Sequence, residues 1–211
     1  FGGRDLVHRL PEEDEEARAL SVFGVPVSYG ACLFRRAVLE AHGLRCPEAW
    51  RTPGMDHLFM LAVGRHTRYA NLPEVLTHYR IGAQNMRHGR DAHRDLHLLT
   101  REIFRLLKIP ASDREAALHL YLNEPPHPSM TILDMWGLYR WKGRLVRITT
   151  KLFPGPSFAR LVEQRWDRVF HEVVRYSAWA SLLHLVLSGK WRERFGYWAS
   201  LTRRRWMGGA V

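Results

Sequence analysis

Cysteine is nearly absent: the 211 residues hold two, Cys32 and Cys46, with thirteen residues between them and no C-x-x-C pair. A disulfide scaffold and a cysteine-based zinc site are therefore unsupported, a reducing cytoplasm fits best, and each thiol reads as a small buried or half-buried residue rather than a nucleophile. Long apolar runs are missing as well. The most apolar stretch, AWASLLHLVL, is ten residues long and contains a histidine, whereas a bilayer-spanning helix needs about 20. No Gly-rich phosphate loop, nucleophile elbow, H-E-x-x-H or kinase phrase occurs, so phosphotransferase and hydrolase readings have nothing to rest on.

What is present is ordinary for a folded protein: 46% hydrophobic and 25% charged residues, a balance that argues against disorder. The chain opens on Phe1, and FGGRDL reads like the middle of a polypeptide, so a fragment beginning inside a domain is expected. Charge is unevenly placed. Residues 1–139 hold 17 Lys and Arg against 17 Asp and Glu, whereas residues 140–211 hold 15 against 4, so the net +11 lies entirely in the last third. Two regions with different surroundings follow, a neutral body at 1–108 and a basic helical extension at 109–211 that meets something anionic.

Hydrophobic period places the elements. An acidic run from Glu12 suits the first turn of a helix. VPVSYGACLF, residues 25–34, mixes β-branched, aromatic and small residues and predicts a strand, with Gly30 and Ala31 where a ligand or backbone can approach closely. RRAVLEAHG is a short helix stopped by Gly43. Thr52 is a candidate N-cap with Pro53 at the first helical position, and Met55, Leu58, Phe59 and Ala62 recur at helical spacing up to Gly64. Asp56 falls in the first turn of that helix. Beyond it Val75, Thr77, Tyr79 and Ile81 alternate with Leu76, His78 and Arg80, the period of a second strand entered at Pro73. Residues 91–107 form an amphipathic helix, and from Pro110 onward the pattern is helices separated by NEPPHP and FPGP. Apolar residues from Leu161 to Leu187 run along one stripe.

Three linked phrases, LFRRAVLEAHG, GMDHLFML and NLPEVLTHYR, occur in an order and at spacings that resemble the C-terminal half of the catalytic domain of family 2 glycosyltransferases. The likeness covers roughly residues 10–90. It implies an α/β fold, part of a Rossmann-like GT-A domain with a mixed sheet, and inverting transfer of a sugar from a nucleotide-sugar donor to the hydroxyl of a saccharide or lipid-linked acceptor, as in cell-envelope polysaccharide synthesis. The second acid of the family's "ED" is the general base, and Asp56 holds that position. A base is required because a hydroxyl attacks poorly until its proton is drawn away, and a placed one contributes roughly 10²- to 10⁴-fold. The helix start also favours an ionised acid for purely local reasons, so Asp56 equally reads as a helix-start acid with no chemistry. Gly30 and Ala31 leave room for the sugar. Arg80 either balances the leaving diphosphate or forms a strand-end salt bridge.

Two positions depart from the family's pattern: Met55 stands where the family has Glu, and Gly82 where it often has His, with His78 or His88 as candidates to take that place. The family's D-x-D, which holds a divalent metal, Mn or Mg, and the donor diphosphate, does not occur in these residues. Its ligands are expected outside this chain, and the chain alone is expected not to turn over a sugar nucleotide. His93 and His97, with Asp91 and Asp95 nearby, have metal-ligand spacing but no third ligand at a diagnostic distance, so solvated helix surface is the plainer reading.

Arginine and aromatic residues interleave in WKGRLVRITTKLF, GKWRERFGYW and LTRRRWM. That pattern suits a helix lying on an anionic membrane surface through 140–211, with peripheral attachment at the inner face. A helical bundle with solvated arginines is the bland alternative. Nucleic-acid binding has no recognised motif behind it. The competing account of the whole chain is a non-catalytic α/β interaction module whose basic tail binds anionic membrane or nucleic acid.

Overall fold

The computed structural model describes residues 7–46, 54–78, 92–124 and 130–207. The chain divides into two compact units, Phe1–Pro110 and Ala111–Val211. In the first lie α1 (Asp14–Leu20), a 3-10 turn at Tyr29–Ala31, α2 (Arg36–Ala41), α3 (Met55–Gly64) and α4 (Ala92–Leu106); in the second, α5 (Asp113–Asn123), α6 (Ile132–Thr149), α7 (Ser157–Val173), α8 (Ala178–Ser188) and α9 (Trp191–Met207).

Among the described residues there is no strand, and this overturns the expected α/β fold with its GT-A mixed sheet. Residues 25–34, expected as a strand, run irregularly into the 3-10 turn, and Leu33 is fully exposed. Residues 75–78 of the second expected strand are likewise without strand pairing and exposed, while 79–81 lie outside the described residues. Alternation alone does not make a strand, because each extended segment needs a neighbouring backbone to bond. Side chains tie down the start of the first segment and the stretch just before the second. Asp14 accepts from the Tyr69 amide at 2.7 Å and from Arg18 Nε at 2.8 Å, and Asn71 Nδ2 donates to the carbonyls of Pro11 at 2.6 Å and Pro26 at 3.0 Å.

The helices of the first unit follow their sequence logic. α1 carries Asp14, Glu15 and Glu16 in its first turn, and Ala17 and Ala19 face inward. Against it pack Val27, Met60 and Tyr69. α3 is buried along most of its length, from His57 to Leu61 and at Val63 and Gly64. Its N-cap is Gly54, held at φ 91° with the Leu99 side chain of α4 against it, so any Cβ there would be strained and crowded.

In the second unit, helix ends are specified by local chemistry. Ser112 with Glu115 and Thr131 with Asp134 each form a complete capping box, and the Ser177 hydroxyl accepts from the Ala180 amide. The expected apolar stripe from Leu161 to Leu187 is broken after Val173, and a second helix restarts behind Ser177. The core is aromatic and aliphatic: Met135, Leu138, Trp141, Leu145, Val162, Trp166, Phe170 and Leu185 are almost wholly inaccessible. Arg165 Nη1 donates to the Leu122 carbonyl at 2.9 Å and to Asn123 Oδ1 at 3.2 Å, and Arg168 Nη2 donates to the carbonyls of Leu122 and Asn123. Two cations thus complete the C-terminal end of α5, where the free carbonyls and the helix dipole favour positive charge.

Candidate functional site

Asp56 occupies the first turn of α3 and is half-buried. Its Oδ1 accepts from the His57 amide at 2.9 Å, which satisfies one of the helix's free N–H groups. Among the described residues Oδ2 has no hydrogen-bond partner. Behind it, His57 is buried and its Nε2 bonds the Ser21 carbonyl at 2.7 Å; burial lowers its pKa, which keeps the ring neutral.

Three residues after Asp56, on the same helix face, stands Phe59. Tyr29 meets it edge-on, with ring centroids 6.2 Å apart, and Phe34 closes the triangle at 5.5 Å from Phe59 and 6.3 Å from Tyr29. Tyr29 remains 43% exposed, so the cluster has one apolar wall facing solvent. Gly30 and Ala31 follow directly and are exposed, with no atom within 4 Å of the place a Cβ on Gly30 would take. The 3-10 turn holding Gly30 and Ala31 is thereby packed onto the helix that holds Asp56. The packing of Tyr29 on this helix is not legible in the sequence, where Tyr29 counts only as a strand residue; an aromatic next to Gly30 is the available signal.

Arg80, His88, Gly82, Thr52, Pro53 and Asp91 lie outside the described residues. Met55 is half-buried on α3, and His78 is exposed. His93 is exposed and His97 half-buried on α4. Among the described residues no group of three or more His, Cys, Asp or Glu could hold a metal ion. The divalent ion that the glycosyltransferase likeness implies therefore has no fitting ligand set among the described residues. Burial pushes the Cys32 thiol up, and its Sγ donates to the Tyr29 carbonyl at 3.1 Å, so it stays protonated as a minor packing group.

Compared with known protein families, with curated proteins and with solved structures, the chain finds no match. Among the described residues no helix is long and apolar enough to cross a membrane.

Proposed function

We propose that residues 25–78 form the acceptor side of a sugar-transfer site and that Asp56 is its general base. In this reading the acceptor hydroxyl attacks the anomeric carbon of a nucleotide-activated sugar. Its proton passes to Asp56 Oδ2, the bond from carbon to the diphosphate oxygen breaks, and the diphosphate leaves with that electron pair, giving inversion. The observation that carries the reading is that the helix with Asp56 in its first turn also holds Phe59, on which Tyr29 and Phe34 pack next to the uncrowded Gly30. A saccharide offers hydroxyls on its rim and C–H groups on its faces, and a helix that carries a carboxylate and packs a half-exposed aromatic offers a partner for each. The donor and its divalent metal are assigned to residues outside this chain, and a cytoplasmic enzyme peripherally attached to the membrane is the setting that fits.

A second reading, a non-catalytic interaction module, is favoured by the lack of a sheet among the described residues and by the bond from the His57 amide to Asp56, which any helix-start acid can accept. Asp56→Asn separates the two when placed in a polypeptide that joins this chain to a D-x-D-bearing donor half. Turnover of a sugar nucleotide should fall by roughly 10²- to 10⁴-fold with KM little changed. Unchanged turnover removes Asp56 as base, and transfer catalysed by the 211-residue chain alone removes the assignment of the donor site elsewhere.

A further inference from the structure

The outward face of α8 is apolar where an exposed helix face is ordinarily polar. Trp179, Leu182, Leu183 and Val186 recur at the spacing of one helix face; Trp179 is 69% and Val186 62% exposed, and the two leucines between them are half-buried. The opposite face, Ala180, Ser181, His184 and Leu185, is the one packed into the bundle. No Asp, Glu, Lys or Arg occurs from Ala178 to Ser188. Gly189, left-handed at φ 68°, then turns the chain into α9, which adds Trp191 and Phe195, both about half exposed. Cations sit at this turn: the Arg192 guanidinium lies 5.4 Å from the Trp191 ring centroid, and Lys190 and Arg194 share Asp167.

We propose that this helical hairpin, α8 with the start of α9, is the surface by which the chain rests on an anionic lipid bilayer. Charge selects the occupant. The region 140–211 carries 15 basic against 4 acidic residues, so two copies of it repel one another, whereas anionic headgroups attract it. The apolar content selects lipid over nucleic acid, because Leu182, Leu183 and Val186 offer a base nothing to stack on, while an acyl boundary takes them readily. Tryptophan at both ends of the hairpin suits the headgroup level. With 11 residues α8 is about 16 Å long, half the hydrocarbon thickness, so it lies in the interface rather than crossing it. None of this depends on Asp56 or on the sugar-transfer reading.

The test is flotation of the full chain with vesicles of phosphatidylcholine alone and of phosphatidylcholine with phosphatidylserine. The chain should float with the anionic vesicles, and raising NaCl from about 0.1 to about 0.5 M should release most of it. The double substitution Trp179→Ser with Val186→Ser should lower partitioning by about tenfold or more while the far-ultraviolet circular dichroism stays unchanged. Quenching of the unsubstituted chain's tryptophan emission by brominated lipid reads the same contact without any variant. Equal flotation of the variant and the parent overturns the proposal. So do absence of quenching, preference for a random oligonucleotide over anionic vesicles, and self-association that the double substitution abolishes in the absence of lipid binding.

Discussion

Mild acid should weaken the second unit through one buried imidazole. His184 is fully buried on α8, its ring stacked on Trp166 at 4.0 Å and its Nε2 bonded to the Trp166 carbonyl at 2.8 Å. Its Nδ1 is buried with no partner among the described residues, so a proton added there would have nothing to bind. Burial pushes the pKa from 6.5 down to about 4, against the smaller opposing effects of the Trp166 carbonyl and of Asp167. Above pH 6.5 the ring is neutral in folded and unfolded chains alike, and the full stability is present. As pH falls below 6.5 the unfolded chain takes up the proton first, so stability is lost progressively until the folded ring protonates near pH 4. The loss approaches 1.4 kcal/mol per pH unit and totals roughly 3 kcal/mol. Urea unfolding at pH steps between about 7.5 and about 4.5 measures it, and seven of the eight tryptophans lie between Trp136 and Trp206, so emission reports this unit. Glu115, Asp134 and Asp167 are held below the ordinary carboxylate range by their hydrogen bonds and cationic partners, and their contribution is lost only at lower pH. His184→Gln should be less stable at neutral pH yet lose most of the slope. An equal slope in the variant, or a folded-state imidazole titration near 6.5 by NMR, refutes the reasoning.

Gly64→Ala should cost about 2 to 3 kcal/mol, because the new methyl group would run into the hydroxyl of Tyr69, which donates to the Met60 carbonyl at 2.7 Å; a lower melting temperature checks it. Ser112→Ala and Thr131→Ala should each cost about 1 kcal/mol in urea unfolding. Arg165→Ala should destabilise by about 1.5 to 3 kcal/mol in the same assay by leaving the Leu122 carbonyl and Asn123 Oδ1 each with one donor fewer.

Where a feature is decided within a few residues, it can be read from the sequence. Met55, Leu58, Phe59 and Ala62 ending at Gly64 specify α3 with Asp56 in its first turn, and Leu96 to Leu107 specify α4, because helical bonds join residues four apart. Val25–Phe34 and Val75–Ile81 have the alternation of strands, but a strand is decided by what lies beside it, and alternation carries no information about that neighbour. The contacts that hold the first unit join Asp14 to Tyr69 and Asn71 to Pro11 across 55 and 60 residues, through side chains that no local window connects. The break between α7 and α8 was hidden for the opposite reason. Apolar residues continue across it, and only the Ser177 cap marks the restart.

The same distinction governs the candidate site. Helix α3 and the acid at its start are local features, legible in the sequence and present in the structure, yet neither makes a base. Chemistry would depend on what faces Oδ2, and there the nearest structural fact is a tertiary one: Phe59, Tyr29 and Phe34 meeting across the chain. Asparagine is therefore the informative replacement at position 56. Its amide oxygen can still accept from the His57 amide, so the helix start is kept, while its capacity to take a proton is removed. Alanine would remove both and confound a lost first-turn hydrogen bond, worth about 0.5 to 1.5 kcal/mol, with a lost base. A protein that melts at the same temperature but transfers no sugar would locate the function in the second oxygen of Asp56. One that melts lower and transfers normally would reduce the carboxylate to the end of a helix.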